Sequence, residues 1–235
     1  GARDIAAACG ADEHTGVLEI GPGIGPLTRE LAQRAGKVVS VELDRRLYPV
    51  LEETMADFPN FTLIRGDVMQ QELPALVREH LGGLRPILCA NLPYNITTPL
   101  LTRVVESRCF QSLTVLIQKE VAQRICAAPG TADYGAFTLL MQYYTAPELL
   151  FEVPNSCFMP PPKVTSAVVR CVTRKAPPVQ VRSEEAFWRT VRAGFALRRK
   201  TLVNSLQTGW QLPKEQLAAI VAGCGLSPTV RGEAL

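Results

Sequence analysis

Two short stretches of the chain carry residues whose types and spacing could do chemistry. Asn91-Leu92-Pro93-Tyr94 sets an amide, a proline turn and an aromatic ring in succession. An amide oxygen accepts a hydrogen bond from an amine. Proline holds the turn rigid, so the backbone carbonyls of Leu92 and Pro93 can be aimed at that same amine. The ring of Tyr94 offers a stacking face for a base. The second stretch is Gly21-Pro22-Gly23-Ile24-Gly25. Its glycines allow positive φ and let a ligand touch bare backbone. A helix N-terminus behind them favours a carboxylate or phosphate.

The elements that must position these residues are legible around them. Val17-Leu18-Glu19-Ile20 is a short apolar run ending at the glycines, and Leu27, Leu31 and Ala32 follow at helical spacing. Strand, glycine loop and helix form the first unit of a nucleotide-binding α/β domain. A dinucleotide fingerprint is G-x-G-x-x-G. Here the third glycine comes one position early and Pro26 stands in its place. G-x-G-x-G after an acidic strand resembles the S-adenosylmethionine-dependent methyltransferases, which makes Glu19, Gly21, Gly23 and Gly25 candidate cofactor residues.

Lys37–Val41 reads as the second strand, closed by Glu42, 21 positions after Gly21. A carboxylate at that spacing can take both ribose hydroxyls; the alternative is a helix-capping or solvent-facing acid beside Asp44. Arg45 to Phe58 reads as one helix. Phe61–Arg65 is the third strand, and Gly66-Asp67-Val68 leaves it at the same sheet edge. Asp67, with Val68 beside it, is a candidate acceptor for an exocyclic amine such as that of adenine, or a turn and N-cap aspartate. Pro86–Ala90 is the fourth strand and delivers Asn91. Thr97–Glu106 is the next helix, with Thr97 or Thr98 as its cap.

Leu113–Gln118 reads as the fifth strand, and helices follow over Val121–Ala127 and residues 134–145. Leu149–Val153 and Ser166–Val172 read as two late strands. They are joined by a proline-rich connection carrying Phe158, either an aromatic wall for a ligand or an ordinary buried ring. The expected fold is a Rossmann-like, mostly parallel α/β sheet with a late antiparallel hairpin and a small C-terminal helical domain. Ala176-Pro177-Pro178 is the linker, so the domains are expected at 1–176 and 177–235. Beyond the linker the net charge is +4, against −1 for the rest. Arg198, Arg199 and Lys200 at a turn there suit phosphate contact; the alternative is a solvated face. Both chain ends read as cut at helices, so the second domain is expected to be truncated.

Composition narrows the class. Apolar residues make up 47% of the 235, ordinary for a globular protein, and no run reaches the roughly 18 a membrane helix needs. Seven scattered cysteines form no C-x-x-C pair, so free thiols in a reducing cytoplasm are expected, and neither a metal site nor a disulfide framework.

Taken together, these residues resemble the ribosomal RNA adenine dimethyltransferases over almost the whole chain. The resemblance rests on Leu18–Gly25, Val41–Asp44, Gly66-Asp67, Asn91–Ile96, Phe158–Val164 and Phe195–Lys200. Asn91–Leu101 and Phe158–Val164 look more like the small-subunit enzymes than the large-subunit relatives. The resemblance implies S-adenosylmethionine as cofactor and dimethylation of N6 on two adjacent adenosines near the 3′ end of small-subunit rRNA. The expected partner is that RNA or an immature small subunit, met by a cytoplasmic monomer. It implies that Asn91 Oδ1 and the Leu92 or Pro93 carbonyl receive the amine hydrogens, while Tyr94 and Phe158 hold the base. Family members carry an N-terminal Gln-Asn-Phe-Leu motif that this chain lacks. The rival readings are a large-subunit rRNA adenine methyltransferase, an RNA-binding assembly factor, and a nicotinamide dehydrogenase, against which Pro26 and Asn91–Tyr94 argue.

Overall fold

Five parallel strands form the frame of the sheet: β1 (Thr15–Ile20), β2 (Lys37–Glu42), β3 (Phe61–Arg65), β4 (Arg85–Asn91) and β5 (Ser112–Gln118). β6 (Thr145–Val153) and β7 (Ser166–Thr173) complete it, β7 running antiparallel between β5 and β6. The order in this computed structural model, which describes residues 1–235, is β3-β2-β1-β4-β5-β7-β6. Every residue of β1 is buried, and β2 is buried from its second residue on. Strands covered on both faces read as continuous apolar runs, which is why Val17–Ile20 and Val38–Val41 were recognisable without alternation.

Helices connect the strands: α1 (Ala2–Ala8) precedes β1, and α2 (Pro26–Ala32), α3 (Tyr48–Thr54), α4 (Leu73–Leu81) and α5 (Thr97–Ser107) link the parallel strands in turn. α5 buries Thr97, Leu100, Leu101, Val104 and Val105, one face of a 3.6-residue period. Each large apolar side chain so buried contributes about 1.5–3 kcal/mol. The connection from β5 to β6 carries α6 (Lys119–Ile125) and α7 (Ala136–Tyr144).

The chain divides into two compact units, Gly1–Ala122 with Tyr144–Lys175, and Gln123–Tyr143 with Ala176–Leu235. The division expected at 176/177 leaves out the earlier excursion: residues 123–143 cluster with the C-terminal helices. Within that second unit lie α8 (Glu184–Ala196), capped by Ser183, α9 (Leu202–Leu206), capped by Thr201, and α10 (Lys214–Gly223). Its core is Ala193, Leu202, Val203, Leu206, Leu217 and Val221.

Three local expectations are corrected. The single helix over Arg45–Phe58 is a 3-10 turn at Arg45–Leu47 followed by the short α3, because Pro49 can stand only in a helix's first turn. β6 begins at Thr145 and runs through Pro147, which an edge strand tolerates since a missing N–H there leaves no ladder bond unmade. α5 is capped at Ile96, not at a threonine; the Thr97 hydroxyl instead donates to the carbonyl of Pro93 at 3.0 Å.

Candidate active site

The carboxyl ends of the parallel strands share one edge, where open α/β sheets bind ligands. A cavity of ≈ 520 Å³ opens there, within the range of a cofactor site, and Glu19, Gly21, Gly23, Asn91 and Phe158 all line it. Gly21, Gly23 and Gly25 have φ of 68°, 63° and 99°, so the loop needs residues without a Cβ. A Cβ on Gly23 would meet nothing within 4 Å, which marks the open side.

The three glycine amides are already paired within the protein. Gly21 N–H donates to the Val41 carbonyl at 3.0 Å and Gly25 N–H to the Pro22 carbonyl at 3.1 Å. Gly23 N–H donates to Glu42 Oε2 at 3.2 Å. A ligand therefore meets the glycines as bare backbone and not through these three N–H groups; α2 behind them is only seven residues long. Gly25 turns away, its Cα facing Thr54 and Leu51 of α3. What the glycines provide is room.

The charged groups nearby are carboxylates. Glu42 is 6% exposed; its second oxygen accepts from Asp44 N–H at 2.9 Å. Glu19 is 1% exposed and its Oε2 accepts from both Thr28 Oγ1 and Ser40 Oγ at 2.7 Å. Burial pushes the Glu19 carboxyl up to about 7; the two hydroxyl bonds pull against this and the Glu42 charge adds to it. A carboxylate has about four acceptor positions, so each acid retains capacity for a further donor. The cavity lining is largely apolar around Glu19 and Asn91, with Glu42 and Asp67 outside it, and that combination of apolar surface and acceptors suits a ligand with hydroxyls, an ammonium and a sulfonium. It does not suit a pyrophosphate. On this ground S-adenosylmethionine fits and a nicotinamide dinucleotide does not.

The Asn91 turn meets the glycine loop directly: a Cβ on Gly21 would lie 3.6 Å from Pro93 Cγ. Asn91 ends β4 and is exposed into the opening, while Leu92 is buried at 2% exposure and hydrogen-bonds through its N–H to the Leu116 carbonyl at 3.1 Å. The Pro93 carbonyl accepts from Ile96 N–H at 3.3 Å and from Thr97 Oγ1. Both its lone pairs are committed to starting α5, which leaves the Leu92 carbonyl as the backbone acceptor. Tyr94 is 37% exposed, outside the cavity lining, and its hydroxyl lies 2.7 Å from Ser166 Oγ. Phe158 is half-buried in the cavity lining, packed against the core that includes Val153 and Leu116.

Asp67 stands one strand further out. Gly66 N–H donates to the Glu42 carbonyl at 2.9 Å, so the two acids are linked through the sheet edge. Asp67 Oδ1 accepts from Met69 N–H at 2.9 Å and caps a 3-10 turn, with Val68 buried behind it. The capping alternative is therefore realised, and one oxygen remains for another donor. In the second unit, Arg198 is not a free cation: it donates to Glu233 Oε2 at 3.3 Å and to the carbonyls of Ala132 and Tyr134. Arg199 and Lys200 are exposed. The three adjacent charges are thus not equivalent, because the first ties the C-terminal turn to residues 132–134.

Several participants escaped the sequence reading. Thr28 and Ser40 read as ordinary helix and strand residues, and only their convergence on Glu19 gives them a role. Ile24 and Leu43, 62% and 67% exposed, are apolar groups flanking Gly23 and Glu42. For Leu43 the available signal was its place directly after the strand-closing Glu42. Ser166 has no sequence signal linking it to Tyr94, 72 residues away.

The model of the ribosomal RNA adenine dimethylase family matches residues 2–225. A Geobacillus thermodenitrificans protein named ribosomal RNA small subunit methyltransferase A is 45% identical over 240 residues, spanning 99% of this chain and 81% of that relative. A Lactococcus lactis protein of the same name is 43% identical over 95% of this chain and 77% of its own. Among solved structures, a dimethyladenosine transferase from Plasmodium falciparum matches with a TM-score of 0.81 over 100% of this chain and 90% of that one; at 23% identity it speaks for the fold alone. The 23S rRNA methyltransferase ErmE matches with a TM-score of 0.73 at 28% identity, over 99% of this chain and 93% of its own.

Proposed function

The chain belongs to the ribosomal RNA adenine dimethylase family, and from that premise we infer that it is an S-adenosylmethionine-dependent enzyme that dimethylates N6 of two adjacent adenosines near the 3′ end of small-subunit rRNA. The observation that carries the reading is that Asn91 lines the same cavity as Glu19, Gly21 and Gly23. A group able to receive an amine therefore faces the place where the methyl donor fits. The substrate is the RNA within an immature small subunit, and the enzyme acts as a cytoplasmic monomer. No helix is long and apolar enough to cross a membrane.

S-adenosylmethionine, when bound, supplies an electrophilic methyl group. Gly21 and Gly23 leave room for it, and Glu42 accepts the ribose hydroxyls. Asp67 accepts from the exocyclic amine of its adenine ring, beside Val68. Asn91 Oδ1 and the Leu92 carbonyl accept the two hydrogens of the target amine, so that its lone pair points into the cavity. Such positioning is the larger part of the catalysis, since the amine can release its proton after transfer. Tyr94 and Phe158 grip the base once it leaves its stack. A monomethylated amine still offers one hydrogen, which permits the second transfer. Arg199 and Lys200 contact RNA phosphates.

The test is transfer of labelled methyl groups to unmodified small subunits, to free small-subunit rRNA and to free large-subunit rRNA, with N6,N6-dimethyladenosine read by mass spectrometry. Dimethyladenosine on the small-subunit substrates alone supports the reading. The resemblance to ErmE sustains a second one, in which product appears on the large-subunit RNA instead. Cofactor binding with no transfer to any of them would leave an assembly factor.

A further inference from the structure

The Tyr94 ring projects from a turn whose neighbours are already committed: Leu92 to β5, Pro93 to Gly21 and to the start of α5. With more than a third of its surface exposed, the ring is not held by packing alone. Its one polar anchor is the 2.7 Å contact between its hydroxyl and Ser166 Oγ.

Ser166 is built to be an anchor. It is 0% exposed and is the first residue of β7, a strand with a neighbour on each side. It pairs with Gln118 of β5 and with Val153 of β6, itself a residue of the cavity wall. The preceding carbonyl, of Thr165, accepts from Lys119 N–H at 2.9 Å. Ser166 is also where the connection bearing Phe158 re-enters the sheet. The two aromatic groups therefore refer to one buried residue, Tyr94 through a hydrogen bond and Phe158, in the cavity lining, through the chain.

We propose that Ser166 is a positioning residue for the reaction: its buried hydroxyl holds the phenol of Tyr94 and so sets the ring face presented to the target base. This rests on the reading that Tyr94 stacks on that base. A half-exposed ring without the anchor turns among its staggered rotamers, and the amine held between Asn91 and Leu92 loses its alignment. Displacements of about 1 Å at a reacting centre can lower a rate by up to about 100-fold. The effect should weigh most on the second transfer, where the amine has only one hydrogen left with which to hold its orientation.

The experiment is a double-mutant cycle with Ser166→Ala, Tyr94→Phe and the pair, assayed on unmodified small subunits with labelled S-adenosylmethionine. Tyr94→Phe keeps the ring, removes only the hydroxyl and lies at the surface, so it reports even if Ser166→Ala folds poorly. Each single variant should lower kcat about tenfold and raise the ratio of monomethyl to dimethyl product. The pair should lose no more than either alone. Cofactor Kd, measured by calorimetry, should stay within about twofold. Losses that multiply in the pair, an unchanged rate and product ratio in Tyr94→Phe, or an equal loss of cofactor affinity would overturn the proposal. The wild-type arm separates the two levels: a wild-type chain that methylates nothing overturns the stacking reading itself, and the Ser166 role with it.

Discussion

The two halves of the site are built on opposite plans. On the cofactor side, Glu19 and Glu42 are almost wholly buried, and three of their four carboxyl oxygens accept from a loop amide or a hydroxyl of the protein itself. On the base side, Asn91 and Tyr94 are exposed, and the connection bearing Phe158 carries Met159 at 98% exposure. A small ligand of constant shape can be met by a rigid, preorganised wall, whose burial cost is borne once, in folding. A base that arrives attached to a ribosomal subunit needs an open approach, and its contacts are completed only on arrival. The buried half thus couples ligand binding to stability and pH, while the open half affects turnover with little effect on folding.

That contrast is broken most sharply at Asn91. Asn91→Ala should cut methyl transfer by about 100- to 1,000-fold, the scale for losing one preorganised hydrogen-bonding group at a reacting centre. Cofactor affinity and melting temperature should hold. Equal losses of transfer and of cofactor binding, in paired kinetics and calorimetry, would move Asn91 to the buried half.

Glu19 tests the other side through pH. Its folded pKa, about 7, lies above the ordinary 4.5. Below about pH 4.5 both folded and unfolded forms hold the proton and there is no penalty. As pH rises the unfolded chain ionises first, so stability falls between about 4.5 and 7 and the cost is complete above that. The shift corresponds to about 3 kcal/mol. Glu19→Gln, which can still accept from Thr28 and Ser40, should be more stable than wild type at pH 8 and no more stable at pH 4. Parallel urea melts across that range would check it, and curves that stay a constant distance apart would contradict the assignment.

Glu42→Gln should weaken S-adenosylmethionine by about 1–3 kcal/mol, the range for losing a charged acceptor. Because Glu42 also holds Gly23 and Asp44, a smaller fall in melting temperature should accompany the loss. Affinity that survives while stability drops would make it a loop brace only.

The smallest effect is expected in the second unit. Arg199→Ala with Lys200→Ala should flatten the salt dependence of RNA binding by about 1.4 in log–log slope, two phosphates at single-strand density. Arg198→Ala should instead lower stability by freeing Glu233, with little change in slope. Identical behaviour of the two variants across a salt series would restore the three charges to a single patch.

Much of this molecule was open to sequence reasoning because its signals are local. A glycine needed at positive φ, an acid at a strand's end, an apolar run buried on both faces and a proline-braced turn depend on neighbours within a few residues. These determined the parallel sheet, the G-x-G-x-G loop, Glu42 and the Asn91–Tyr94 turn. Tertiary structure decided whatever depended on which distant groups meet. It set residues 123–143 with the C-terminal helices, turned the glycine amides inward onto Val41, Pro22 and Glu42, and gave Arg198 to Glu233. It also brought Thr28 and Ser40 onto one oxygen of Glu19, and Ser166 onto Tyr94. A hydrogen bond is satisfied by any donor and acceptor that packing brings within about 3 Å, and periodicity carries no record of that choice.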